Sequence, residues 1–229
     1  MISRLATFAA VGALAVGAGS VRPDTATLAA WNEFVTRAEN DLHSCRCDTG
    51  KPQGKTYEIP GGTIHQWRGE LLIKGVTVDE VVNALQSRGV PPPQEDVLES
   101  RVLSRSGESV VVYLKLSRQA LITVTYDTEH AVTFNRLSPA AAESRSIATR
   151  IDEADGRDHG FLWRLNSYWR YEQELDGVRI RGESLSLSRR VPTIVKPVAG
   201  PIITRVGRDS MASALDALRR FLEGLKPMS

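Results

Sequence analysis

The segment from Phe161 to Arg189 constrains the fold more than any other part of this 229-residue chain. Asp176-Gly177 favours a two-residue type I′ turn, and strand-like runs flank it on both sides. Such a turn pairs Leu175 with Val178, and the register then sets Glu174 opposite Arg179, Glu172 opposite Arg181 and Arg170 opposite Glu183. Opposite charges facing one another across a strand pair support a register of this kind. On the other face Leu165, Ser167, Trp169 and Tyr171 meet Ser188, Ser186, Ser184 and Gly182, with Trp163 just beyond. One face is therefore expected to be solvated. The other sets rings against side chains too small to fill the space beside them, and it requires a cover, either a helix or a guest molecule.

The composition, 41% hydrophobic and 24% charged, is that of a globular protein with a sizeable core. Formal charge is +2, with basic and acidic residues interspersed. No concentrated basic face of the kind that binds nucleic acid is encoded, so no nucleic-acid partner is expected. Residues 1–20 read as a signal peptide: Arg4 gives a positive start, Leu5 to Ala18 an apolar run, and Ala18-Gly19-Ser20 small residues for cleavage. The run is short for a membrane span. The expected location is outside the cytoplasmic membrane, periplasmic or secreted. Cys45 and Cys47 are the two cysteines. A Cys-x-Cys pair can close a small strained disulfide, exchange, or help capture a metal, but two thiols alone make an incomplete metal site.

Along the chain, Leu28, Trp31, Val35, Ala38 and Leu42 recur at helical steps and predict an amphipathic helix from Thr27 to about His43. A connector to Pro60 follows, so residues 21–60 form one N-terminal unit and residues 61–226 the main domain. Gly62 to Ile73 alternates as a strand. Thr77 and Glu80 make a capping box for a short helix with Val78, Val81, Val82 and Leu85 inward. Gly89 and Pro91 to Pro93 break the chain. Strands are then expected over Val97 to Ser104, Val110 to Leu116, Leu121 to Phe134 and Glu143 to Ile151, followed by the hairpin. Putting Val110, Val112, Leu114 and Leu116 on one face with Val124, Tyr126 and Phe134 requires an odd-length turn near Arg118. A last helix, Pro201 to Leu225, carries Met211, Leu215, Leu218, Leu222 and Leu225 at steps of four and three. At about 1.5 Å per residue it is long enough to lie across the whole sheet.

Strand, helix, proline-rich passage, six strands and a long terminal helix is the order of a helix-grip α+β fold. With it, Gly61-Gly62-Thr63-Ile64-His65, the run Asp158 to Arg170 and the run Glu183 to Arg189 resemble the START-like superfamily, in particular an exported bacterial subset. The resemblance spans about Gly61 to Leu225. It implies a curved antiparallel sheet of about seven strands wrapped around the C-terminal helix, with an apolar tunnel between them for a lipid, sterol, polyketide or quinone. Where such proteins often carry a second helix, this chain has Gly89 to Gln94, so that edge is expected to lack one.

On that reading Trp67, Tyr126, Trp163, Leu165 and Trp169 form the walls, Ser184 and Ser186 supply room, and Val206 and Met211 belong to the covering helix. His130 and Arg145 are expected inside, holding a polar end of the ligand. Core packing accounts equally for any one of these rings. No catalytic residue is assigned: Gly54-Lys55-Thr56 lacks the glycine a phosphate loop needs at position 49, Gly182-Glu183-Ser184 continues to Ser186 rather than glycine, and the four histidines show no metal spacing. No cofactor and no metal are expected. The expected partner is a hydrophobic small molecule; transient membrane contact and oligomeric state are left open. A cyclase-like enzyme using the same cavity, or a protein-interaction module displaying the first helix, are the alternatives.

Overall fold

The computed structural model describes residues 22–41, 51–119, 123–191 and 196–225. The signal-like segment and both cysteines lie outside these. Element order is α1 (Thr25–Asp41), β1 (Gln53–Ile59), β2 (Gly62–Lys74), α2 (Val78–Arg88), β3 (Val97–Ser106), β4 (Ser109–Gln119), β5 (Thr123–Ser138), β6 (Ala141–Glu153), β7 (Arg164–Glu174), β8 (Gly177–Arg189) and α3 (Lys196–Glu223). All eight strands join one antiparallel sheet in the order β1-β2-β8-β7-β6-β5-β4-β3. This is the helix-grip architecture, with one strand more than expected.

The extra strand is β1, inside the segment read as a connector. It pairs with β2 from Gln53↔Arg68 to Ile59↔Gly62 and leaves most of its side chains in solvent. An edge strand that buries little carries no alternating apolar signal. The capping box of α2 forms as read: Thr77 accepts from the Glu80 amide, the Glu80 carboxylate accepts from the Thr77 amide, and Gly89 closes the helix at φ 73°. The proline-rich passage after it holds no helix.

The β7–β8 register is offset by two residues from the expected one. Glu174 pairs with Gly177, Glu172 with Arg179 and Trp169 with Gly182, so the loop is Leu175-Asp176. The reason lies on the neighbouring strand. Gly177 pairs with Lys74 at the end of β2, where an added Cβ would sit 2.0 Å from the Ile73 carbonyl oxygen. The glycine is needed for close backbone approach rather than for the turn. An offset of two keeps every side chain on its face.

The two faces are covered differently. On the outer face α1 lays Trp31 and Ala38 against Ile64, Tyr168, Leu185 and Leu187. Asp24 caps α1 by accepting from the Thr27 amide, and the Thr27 hydroxyl bonds the Pro60 carbonyl. Beside that apolar patch lies an ionic network. Glu183, 1% exposed, accepts from Gln66 and Arg68, and buried Glu70 sits between Arg179 and Arg181. The expected solvated ladder is thus partly buried, and its carboxylates are held by arginines across neighbouring strands. Removing one partner of such a pair typically costs about 3–5 kcal/mol.

On the inner face α3 packs Met211, Leu215, Leu218 and Leu222 onto Leu71, Ile73, Tyr171, Val178 and Ile180, with α2 sealing that end through Val78, Val81, Val82 and Leu85. The α3 helix starts five residues before the expected Pro201 and continues through that proline. The β4–β5 register, with Gln119 opposite Thr123, puts the even-numbered residues of both strands on the inner face, as the odd-length turn requires.

Candidate ligand-binding groove

Across the middle of the inner face one row reads Trp67, Ser184, Ser167, Ser146, Val132. The next row, toward the Arg189 end of β8, reads His65, Ser186 and Leu165, with His130 on β5 beyond. Burial here is inverted relative to a solid helix-on-sheet core. The outward Tyr168, Leu185 and Leu187 are sealed beneath α1, whereas the inward Leu165, Ser167, Ser184 and Ser186 keep part of their surface open. The backbones of Ser167, Ser184 and Ser186 are paired on both sides, so their accessible area lies on the inward side chains. The inward side of β7 and β8 is thus partly accessible at these rows.

The rings do not border empty seats as expected. A Cβ on Gly182 would lie 2.4 Å from the Trp169 ring, so Trp169 lies flat on that glycine. Trp67 is seated between Gly54 of β1 and Gly207 of α3, whose added Cβ atoms would approach its indole to 2.5 and 2.1 Å. Glycine lets both the edge strand and the covering helix come down onto this ring. Trp67 and Trp169 therefore form the boundary between the packed end and the open rows. Val206, half-buried in α3, precedes the glycine that rests on Trp67, while Met211 belongs to the packed end.

Two expected site residues are elsewhere. Arg145 points outward, ion-paired to Glu39 of α1 and with its guanidinium 5.9 Å from the Tyr168 ring centroid. The expectation placed it with Ile147 and Ile151, but Glu129↔Arg150 followed by His130↔Ala148 leaves Thr149 as an extra residue in β6. That bulge switches parity: Ile147 packs outward and Ile151 inward. Trp163 also joins the outer cluster. It precedes β7 at a bend, so strand alternation does not extend to it, and Leu162 takes the inward place.

His130 is inside, 3% exposed. Its Nε2 lies 3.0 Å from the Thr128 hydroxyl and its Nδ1 3.3 Å from the Ser146 hydroxyl. Burial pushes its pKa down to about 4, with Arg118 adding to the effect. His65 reaches the Ser188 hydroxyl at 3.2 Å and the Thr56 hydroxyl at 3.4 Å, and burial lowers its pKa as well, against the pull of Glu58. Tyr126 is buried on the same wall and held protonated by burial and by Glu153.

At the mouth Asp96 accepts from both Arg118 and Ser210, tying α3 to the end of β4. An open depression of about 590 Å³ adjoins the start of β5, lined by residues that include Thr123, Val124, Arg157 and His159. Arg118, Asp96, Ser146 and Thr128 are not among the residues expected from sequence. The even-residue parity of β4 and β5 could have flagged Arg118 and Thr128; nothing in the sequence marks the bulge that turns Ser146 inward.

The structure can be set beside solved ones. A protein from Thermus thermophilus, TTHA0849, superposes with a TM-score of 0.52 at 13% identity, covering 71% of this chain and 99% of its own. The two share the helix-grip fold. A fragment of a STAR-related lipid transfer protein from Xanthomonas axonopodis gives a TM-score of 0.47 at 19% identity, covering 74% of this chain and 98% of its own. The di-domain ARO/CYC protein BexL gives 0.46 at 12% identity, covering 88% and 61%. The likeness is one of fold. No protein-family model and no curated protein matches the chain.

Proposed function

We propose that this START-like protein carries or senses a hydrophobic small molecule, held between the inner face and α3, and that it works outside the cytoplasmic membrane. The observation that carries the reading is the inverted burial of β7 and β8, where the inward side chains beside the α3-packed core stay partly accessible. Leu165, Trp67 and Trp169 supply apolar walls, and a small number of polar groups converge among them, the composition of a ligand site. Covering apolar ligand surface contributes about 25 cal/mol per Å², before the cost of ordering the guest. The apolar run before Val21 supports export.

The test is native mass spectrometry of the purified protein, residues 21–229, after delipidation and exposure to a broad panel of lipids, sterols, quinones and an apolar dye. Uptake of one guest per chain is expected. A folded protein that takes up none of the panel contradicts the reading.

A further inference from the structure

Carriage alone leaves the chemistry of the guest open, and the hydrogen bonding around His130 narrows it. The Thr128 hydroxyl donates to the Leu114 carbonyl at 2.9 Å, so toward His130 it offers only lone pairs. Nε2 must then carry the ring proton and donate to Thr128. With the ring neutral, Nδ1 is an acceptor, and the Ser146 hydroxyl donates to it. Ser146 has spent its proton on the wall. Toward the groove its oxygen can only accept.

The next residues of this row and the one beside it are neutral too. Ser167, Ser184 and Ser186 make no side-chain hydrogen bond among the described residues and remain accessible. Among the described residues the charged groups on the inner face are engaged elsewhere: Arg118 by Asp96, Glu153 by His159, Arg136 by Asp79 and Asn83, and Arg105 by the carbonyls of Gln86, Ser87 and Arg88 at the end of α2. No cation is free among them to meet an anion, and burying an unpaired carboxylate is costly.

We propose that the groove selects an uncharged apolar molecule bearing a hydroxyl group, whose O–H donates to Ser146 while its oxygen accepts from the serines of the same row. This rests on the carrier reading and adds the ligand's chemical class. Long-chain alcohols, monoacylglycerols and hydroxylated polycyclic lipids share that chemistry; fatty acids and phospholipids do not.

Three probes with one acyl chain separate the cases: 1-monooleoylglycerol, methyl oleate and oleate at pH 7.5, each competing against a bound apolar dye. Monooleoylglycerol is expected to compete at a concentration about tenfold lower than either, as one or two added hydrogen bonds would give. Ser146→Ala should reduce that preference several-fold, with circular dichroism checking the fold. Equal or tighter binding of oleate or of the ester overturns the proposed class while leaving the carrier reading intact. So does undiminished preference in a folded Ser146→Ala variant. If that variant does not fold, the three probes on the unmodified protein decide. Failure of all three probes alongside uptake of other guests from the panel also overturns the class; failure of the probes and the panel together removes the carrier reading as well.

Discussion

The two ends of the inner face are built from the same strands and covered by the same helix, yet they differ in kind. At the α2 end, Leu71, Ile73, Val178, Ile180 and Leu222 are wholly buried, and α3 meets them with leucines at steps of three and four. At the other end the same strands present Ser184, Ser186, Ser167 and Leu165, and these stay partly open. The division falls at Trp67 and Trp169, each lying on glycine. Side-chain size along two strands thus decides where a helix-on-sheet core stops being solid. The packed end supplies stability, and the open end is spared from supplying it.

The largest expected effect breaks or confirms that division directly. Leu71→Ala at the packed end should cost about 3 kcal/mol in urea unfolding, in line with a fully buried leucine whose site cannot collapse. Leu165→Ala at the open end should cost about 1 kcal/mol or less, because its side chain is only partly enclosed. Equal costs would mean that the two ends are packed alike.

Acid provides the second contrast. His130 is neutral in the folded state with a pKa lowered to about 4, whereas in the unfolded chain it titrates near 6.5. Between those values the unfolded state binds more protons, so stability falls as pH drops from 6.5 to 4. The loss should reach on the order of 2–3 kcal/mol. His65 contributes with the same sign. His130→Gln should flatten the pH profile in this window, and an unchanged profile would place the acid sensitivity elsewhere.

A third prediction fills the open end. Ser184→Trp should abolish uptake of the apolar dye while changing stability by about 1 kcal/mol or less, since the ring would occupy accessible volume rather than displace packed atoms. Severe destabilisation instead would show that no such volume exists. The smallest effect is expected at Arg145. Its ion pair with Glu39 is half exposed on the outer face, so Arg145→Ala should cost less than about 1 kcal/mol and leave dye uptake unchanged.

Much of this was legible before the structure. The faces of β7 and β8 follow from alternation alone, and they survive a two-residue error in register because side chains repeat with period two. The α2 capping box and the leucine stripe of α3 are local patterns with local consequences. What the sequence hides is non-local. The role of Gly177 is fixed by β2, about a hundred residues earlier. Arg145 is turned outward by one extra residue at Thr149, and a bulge leaves no compositional trace. The edge strand β1 is invisible to hydrophobic pattern because it buries so little. The polarity of the His130 network depends on three strands meeting, so neither Ser146 nor Thr128 stands out from its own neighbours.

The most direct test of the central claim is photo-crosslinking with a long-chain alcohol bearing a mid-chain diazirine, followed by peptide mapping. The account predicts labels on inward positions of β7 and β8, at Leu165, Ser167, Ser184 or Ser186, and on the facing part of α3 around Val206. Labels confined to the outer face beneath α1, or scattered over the surface with the inner rows untouched, would contradict it.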